Sequence, residues 1–96
     1  MKLVLIAYNE AIDEEVMECV NAAGLKNYTK WAGALGSGST SGPHLRTHVW
    51  PKGNNVLAVA AEEQAAKTLM EAIRRLRQTT GDEGVKAFLL PIEDLT

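Results

Sequence analysis

The sequence predicts an α+β fold of the ferredoxin-like class, in which two helices cover one face of an antiparallel sheet. Two observations lead to this prediction. The chain has 96 residues, a length that favours one domain spanning residues 1–96. Runs of strand length also alternate with two helical patterns in the order β-α-β-β-α-β. This order is that of the split βαβ motif.

The chain begins with a strand pattern and a helix pattern. Lys2–Tyr8 is a nearly continuous aliphatic run, which is typical of a central strand covered on both faces. Carboxylates at residues 13–15 occupy a predicted first helical turn, where the helix dipole favours negative charge, and Gly24 supplies a stop. The apolar residues of this helix recur on one face: Ile12, Val16, Cys19, Val20 and Ala23.

The middle of the chain predicts two strands separated by a long polar connection. Tyr28–Ala34 alternates weakly, and Val49–Trp50 followed by Asn55–Ala61 predicts the next strand. Between them lies the segment 33–53, GALGSGSTSGPHLRTHVWPKG, which contains both histidines of the chain. A connection this polar and glycine-rich is either a flexible surface loop or a binding segment.

A second helix and a final strand complete the pattern. Glu62 and Glu63 begin the helix, whose arginines at residues 74, 75 and 77 suit its negative end. Residues 79–81 end it. Val85–Ile92 is the last strand, and Pro91 implies that this strand finishes at an edge of the sheet or leaves it. The apolar stripe of the helix consists of Ala65, Leu69, Ala72, Ile73 and Leu76.

The predicted fold leaves one sheet face without a helix to cover it. An uncovered sheet face that is not strongly polar needs a partner, and a domain of this length has a thin core. The sequence therefore predicts an oligomer formed through the sheet.

Composition excludes several classes of function. The net charge of −2 and the pI of about 5.6 argue against a nucleic-acid binder. Cys19 is the single cysteine and cannot form a disulfide within the chain, which fits a reducing compartment. The apolar start is too short for a signal peptide or a membrane span, so we expect a cytoplasmic protein without membrane insertion. No catalytic constellation is suggested, so we expect no enzyme.

Four pieces of the chain, in order, resemble the PII signal-transduction family and its PII-like relatives. IDEEVMECV at 12–20 resembles the opening of the family's first helix. WAGALGSGSTSG at 31–42 resembles the Gly-x-Gly entry into its recognition loop. VWPKGNNVLAVAA at 49–61 resembles its Leu-Pro-Lys followed by a hydrophobic strand. TGDEGVKAFLLPIEDL at 80–95 resembles its Gly-Asp-Gly-Lys loop and the strand after it.

The resemblance implies a homotrimeric regulatory protein, of the kind that acts in nitrogen regulation, with its sheets facing the three-fold axis. Ligands would bind in clefts between subunits, where the family binds adenine nucleotides (ATP, ADP or AMP) and many members bind 2-oxoglutarate. The 33–53 loop would signal the ligand state to a target protein such as a transporter or an enzyme.

Candidate ligand residues follow from the glycine-rich stretches. Glycines let backbone N–H groups approach an anion closely, and a lysine adds a point charge. A flexible loop and an ordinary helix stop are the alternatives at these positions. The candidates are Gly33, Gly36, Ser37, Gly38, Lys52, Gly81 and Asp82.

The chain departs from the family pattern in three ways. The loop is short and lacks the family's glutamine, and Glu83 places an acidic side chain inside the Gly-Asp-Gly-Lys match. The basic segment that usually touches the phosphates after the last strand is missing from residues 1–96. The pattern is closer to that of short-loop PII-like proteins, a group with members beside transporters and heavy-metal efflux systems.

Two other functions remain open. A CutA-like metal-tolerance protein of the same fold would bind a divalent metal such as copper or zinc, with His44 and His48 as candidate ligands. On an extended strand these two side chains stand about 13 Å apart, so the loop would have to fold back, and solvated histidines are the alternative. A plain interaction module without a ligand is the third reading.

Aromatic and basic side chains also have two readings each. Trp31 and Trp50 either frame an adenine ring or, as is common for aromatics at strand ends, lie in the core or a subunit interface. The arginines at residues 74, 75 and 77 form a solvated helix end or reach a phosphate across the interface.

Overall fold

A computed structural model describes residues 1–38, 42–44, 53–80 and 84–96. The first strand is followed by a 3-10 turn at Glu10–Ile12 and the first helix. Four strands, the second helix and a last strand come after them. The helices are α1 (Asp13–Ala22) and α2 (Glu63–Thr80). The strands are β1 (Lys2–Asn9), β2 (Thr29–Ala34), β3 (Gly36–Gly38), β4 (Gly42–His44), β5 (Asn54–Ala61) and β6 (Val85–Pro91).

The main sheet has four antiparallel strands in the order β2-β5-β1-β6. Each pair of strands joined through a helix has one other strand between its members, which is the split βαβ arrangement. The predicted α+β, ferredoxin-like class is therefore confirmed. β6 lies at an edge, as Pro91 predicted, because a proline cannot donate to a neighbouring strand.

The core lies between the helices and one face of the sheet. β1 and β5 alternate strictly, so every second residue points toward the helices and is buried. Ile12, Val16 and Val20 of the predicted first stripe are buried against them. In the second stripe Leu69 and Ile73 are buried as predicted. At the start of the helix Ala66 is fully buried, whereas the predicted Ala65 is only partly buried.

The opposite face of the sheet is apolar and has no helix against it in the described part of the chain. Residues that pair directly across antiparallel strands share a face. Leu5 of β1 pairs with Ala58 of β5 and with Phe88 of β6, and Trp31 of β2 extends the next row. Phe88 and Trp31 are 48% and 53% exposed. We call this largely apolar surface, Leu3, Leu5, Ala7, Trp31, Val56, Ala58, Ala60, Phe88 and Leu90, the open face. The same register places the polar residues Thr29 and Lys86 at its rim.

Several details differ from the sequence prediction or lie beyond it. β1 is central, but within one chain the helices cover only one of its faces. Residues 10–12 form a 3-10 turn that begins where the Asn9 side chain accepts a hydrogen bond from the Ala11 backbone N–H at 2.8 Å. Gly24 ends α1 with φ of +78°, as predicted. The predicted strand at Val49–Trp50 lies outside the described residues.

The short strands β3 and β4 form a separate two-stranded antiparallel hairpin. The sequence predicts a loop for this part of the 33–53 segment, and the hairpin corrects that prediction. As for the membrane, no helix among the described residues has the length and apolar character needed to cross a bilayer.

Candidate functional site

Three distant parts of the chain meet at one end of the main sheet. The backbone N–H of Asn9 donates to the carbonyl of Gly84 at 3.1 Å, and that of Glu10 donates to the carbonyl of Gly53 at 2.9 Å. Asn54, at the start of β5, pairs with both Asn9 and Ala34. The segments that carry the candidate ligand residues therefore begin or end at this edge, which we call the ligand end.

The glycines at the end of β2 have structural reasons to be glycines. Gly33 has φ of +73°, and the register of β2 against β5 shifts between Trp31 and Ala34 around it. A glycine with positive φ is characteristic of one common kind of β-bulge. A Cβ at Gly36 would lie 3.0 Å from the Asn54 side-chain nitrogen. Here the backbone approaches its neighbour closely, so a side chain at this position would crowd the Asn54 amide.

The hairpin places further candidates beside this edge. Ser37 pairs with Pro43, and Gly38 pairs with Gly42. His44 lies opposite Gly36, so the chain folds back within the 33–53 segment. The backbone of His44 thus returns to the ligand end, next to the glycine that abuts Asn54.

Four candidates lie outside the described residues: Lys52, Gly81, Asp82 and His48. The residues next to two of these stretches, Gly53 and Gly84, are at the ligand end. The assignment of all four to a ligand or metal site stays a prediction. Within the described ranges, no three His, Cys, Asp or Glu side chains form a cluster suited to a metal ion.

A polar cluster beneath the ligand end was missed by the sequence analysis. One carboxylate oxygen of Asp13 accepts hydrogen bonds from Tyr8 Oη at 2.6 Å, Lys30 Nζ at 2.9 Å and Asn55 Nδ2 at 3.3 Å. Lys30 also lies 5.7 Å from the ring centre of Tyr28. We call Tyr8, Asp13, Lys30 and Asn55 the Asp13 cluster. It ties α1 to β1, β2 and β5 just below their ends, so it fixes the strands that carry the ligand end.

The electrostatics of the Asp13 cluster favour an ionised aspartate. Burial raises the pKa of Asp13, but hydrogen bonds from Tyr8 and Lys30, together with the Lys30 charge, outweigh it and hold that pKa below its usual value. Burial, and next the hydrogen bond to Asp13, raise the pKa of the Tyr8 hydroxyl far above its usual value. The tyrosine therefore stays a neutral donor and the aspartate a charged acceptor at physiological pH.

The sequence contained a weak signal for this cluster. As helix-start carboxylates, residues 13–15 suit the helix dipole, but for Asp13 this interpretation is incomplete, because Asp13 also accepts three side-chain hydrogen bonds. Lys30 is a charged residue at an inward position of β2, because it pairs with the buried Leu57. A lysine on a buried face requires a carboxylate partner, and this requirement could have identified the cluster.

The three arginines at the end of α2 lie in two different environments. Arg74 and Arg77 line a groove of about 230 Å³ between α2 and the start of β6, together with Lys86. Arg75 does not line this groove and lies instead near Cys19 of α1. Burial and the charge of Glu18 raise the pKa of the Cys19 thiol, and the charge of Arg75 offsets part of that rise. The groove adjoins the ligand end, because α2 ends and β6 begins there.

The remaining candidates have simpler positions. Trp31 belongs to the open face, which fits the interface reading, and Trp50 lies outside the described residues. Cys19 is half-buried against the core, in agreement with its place on the apolar side of α1.

The comparison with known families agrees with this architecture. The family model "Nitrogen regulatory protein P-II" matches residues 1–96. The chain therefore belongs to the P-II family, as the four sequence pieces indicated. No curated protein sequence matches it significantly.

Structures of PII-like proteins have the same fold. CPII from Thiomonas intermedia K12, a nitrogen regulatory PII-like protein bound to ADP, AMP and bicarbonate, matches with a TM-score of 0.78 and 20% identity over 92% of this chain and 81% of that chain. Its apo form matches with a TM-score of 0.68 and 17% identity over 92% and 84%. A PII-like signalling protein from Thermus thermophilus matches with a TM-score of 0.61 and 25% identity over 92% and 82%.

We predict that Asp13→Asn lowers the free energy of unfolding by about 1–2 kcal/mol at neutral pH, because three donors lose a charged acceptor that is itself partly exposed. The folded pKa of Asp13 is lowered, so its contribution is present above the unfolded pKa of about 4 and is lost as pH falls through the folded value. The difference between wild type and variant should therefore shrink in acid.

Urea unfolding at a series of pH values measures this difference. Glu14→Gln is the matched control, since Glu14 is an exposed carboxylate in the same turn. An Asp13→Asn effect that is independent of pH, or no larger than that of the control, would contradict the assignment.

Proposed function

We propose that residues 1–96 form one PII-like domain that acts in the cytoplasm as a homotrimeric regulator, not as an enzyme. It binds a small anionic ligand, with an adenine nucleotide as the leading candidate, in clefts between subunits. It passes the ligand state to a partner protein, a transporter or an enzyme, through the 33–53 segment. The observation that carries the proposal is the convergence of the glycine-rich stretches at one end of the sheet.

The ligand end supports anion binding through its backbone and nearby charge. Gly33 has a positive φ and Gly36 packs closely on Asn54, and neither has a side chain to block an approaching anion. Backbone amides at glycines of this kind are suited to phosphate or carboxylate oxygens. Lys86, the lysine of the Gly-Asp-Gly-Lys match, follows Gly84 by two residues and is exposed. The structural neighbour CPII binds ADP, AMP and bicarbonate, which makes nucleotides and small anions the first ligands to try.

The open face supports assembly through the sheet. Its central rows are aliphatic, and its rim holds the half-exposed aromatic residues Trp31 and Phe88. An apolar surface that spans four strands is unfavourable in water and is the kind of surface that oligomers bury. Three copies that packed these faces around an axis would bring the ligand end of each chain to a subunit boundary.

The hairpin β3–β4 supports the signalling role. It begins two residues after Ala34, where the bulged strand β2 leaves the sheet, and its strand pairing returns to Gly36. A ligand that bound the backbone at Gly33 and Gly36 would contact the base of the hairpin directly. A ligand that contacts this base more favourably in one conformation of the 33–53 segment than in another shifts the population toward the first.

We predict that native mass spectrometry finds a trimer that takes up as many as three molecules of ATP, ADP or AMP. The stoichiometry follows from one cleft at each of three equivalent boundaries. A trimer that takes up none of the three nucleotides would move the ligand to bicarbonate or another small anion. A monomer would contradict assembly through the open face.

Leu5→Glu should convert the trimer to monomers, because it places a charge in the central row of the open face. Leu95→Glu is the control, since Leu95 is 60% exposed and lies beyond the sheet. Circular dichroism reports whether each variant is folded, and sedimentation velocity reports its mass. A folded Leu5→Glu variant that remains trimeric would contradict the proposed interface.

Gly33→Ala should weaken nucleotide uptake by about tenfold or more, because an alanine at positive φ costs about 1–2 kcal/mol and shifts the bulge that presents the backbone. Gly24→Ala is the matched control. It has a similar φ of +78°, lies just after α1, and has open space where an alanine Cβ would be added.

Isothermal titration calorimetry with ADP measures the affinity of each variant, and a denaturation curve measures its stability. The two measurements together separate a loss of binding from a loss of folding stability. Both variants should lose similar stability, and only Gly33→Ala should lose affinity. Equal affinity in the two variants would remove Gly33 from the site.

A further inference from the structure

The hairpin β3–β4 has little structure of its own to hold it against the main sheet. Its two strands pair with each other over three residue pairs, and within the described ranges neither pairs with a strand of the main sheet. Leu35, which joins β2 to the hairpin, is 66% exposed and so adds little burial. A two-stranded hairpin alone is marginally stable in water, so the position of this one depends on the contacts at its base.

The base of the hairpin lies against the side chain of Asn54. A Cβ added to Gly36 would lie 3.0 Å from Asn54 Nδ2, closer than most Cβ contacts in proteins, so the amide packs directly on the glycine backbone. Gly36 does not have the positive φ found at Gly24 and Gly33, so an alanine there is opposed by this close approach and not by backbone conformation.

Asn54 itself is held firmly in the main sheet. Its backbone pairs with Asn9 of β1 on one side and with Ala34 of β2 on the other. The residue therefore belongs to the sheet through its backbone and contacts the hairpin through its side chain. No other residue in the described ranges pairs with two strands of the sheet and also lies against Gly36.

We propose that the Asn54 side chain docks the hairpin β3–β4 on the main sheet, and that the hairpin opens and closes at this contact while the sheet beneath it stays intact. Segments with few buried apolar contacts open locally at a small cost in free energy, and three of the six described hairpin positions are glycine. Asn54 is thus a positioning residue, because it acts through the hairpin and not through contact with a ligand.

This docking has a consequence for regulation that rests on the function proposed above. A ligand that binds the backbone at Gly33 and Gly36 meets the hairpin base in its docked position. Asn54 then sets the fraction of chains whose hairpin is already docked before the ligand arrives, and the ligand raises that fraction further.

Hydrogen–deuterium exchange of the ligand-free protein tests the docking contact. Asn54→Ala should speed exchange in a peptide covering residues 35–44 by about threefold or more, because the undocked population rises. Exchange in β1 and β5 should stay within about twofold of wild type, since the proposed opening leaves the sheet intact. Asn21→Ala is the control, because Asn21 is an exposed asparagine on α1 and its loss should leave hairpin exchange unchanged.

Gly36→Ala tests the same contact from the other side. In the wild-type background the added methyl group crowds Asn54 Nδ2 and should speed hairpin exchange. In the Asn54→Ala background the methyl group has room, so the same change should have a smaller effect or none. Asn54→Ser, which also removes the amide, should reproduce the result of Asn54→Ala.

Three outcomes would overturn the proposal. The first is equal hairpin exchange in wild type and in both Asn54 variants. The second is an equal effect of Gly36→Ala in the two backgrounds, which would show that the two residues act independently. The third is faster exchange throughout β5 in the Asn54 variants, which would show a general loss of sheet stability.

Titration with ADP separates this proposal from the proposed function. Asn54→Ala should lose ADP affinity by no more than the factor by which hairpin exchange rises, because docking is linked to binding through a population shift. A larger loss would show that the side chain contacts the ligand itself and would overturn the docking role. Absence of ADP uptake by the wild type would contradict the nucleotide site, while the ligand-free measurements would still decide the docking contact.

Discussion

The fold depends on the pairing of β1 along both of its edges. β1 is joined to β5 over eight residue pairs and to β6 over seven, so it holds together the two halves of the βαββαβ pattern. Both helices pack on the alternate residues Val4, Ile6 and Tyr8 of this strand. The ligand end exists because β1 stops at Asn9, where its neighbours β5 and β6 both begin. The residues proposed to bind a ligand lie at that stop, and those proposed for assembly lie on the face that β1 leaves open.

The ligand end consists of two layers, one built mainly from backbone and one from charged and polar side chains. The layer proposed to meet a ligand consists largely of glycine and asparagine backbone, held in place by strand pairing and a bulge. The layer beneath it is the Asp13 cluster, whose charged and polar groups face one another rather than a ligand. Such a division separates recognition from support, since the supporting groups keep their partners whether or not a ligand is bound.

The order of the two helices and the four main-sheet strands, the edge position of β6 and the bare sheet face were all predicted correctly from the sequence, because each depends on local periodicity or on the number of helices available. The sequence could not predict contacts between residues that are distant along the chain. The Asp13 cluster joins residues 8, 13, 30 and 55, and no local pattern marks a carboxylate that will accept from three strands. The hairpin β3–β4 was missed since glycine and serine carry little strand preference. The roles of Gly33 and Gly36 became clear only from a positive φ and a close approach, which composition cannot supply.

The Asp13 cluster also has a consequence for how the chain finds its fold. Both faces of β1 are apolar, with Leu3 and Leu5 on one side and Val4 and Ile6 on the other, so burial alone distinguishes poorly between the native alignment and one shifted by a residue. A one-residue slip of β5 would carry Asn55 to the wrong face and leave the buried Tyr8 hydroxyl without one of its neighbours. Burial of the apolar residues stabilises the compact chain, and the Asp13 cluster makes the native strand register more stable than a shifted one.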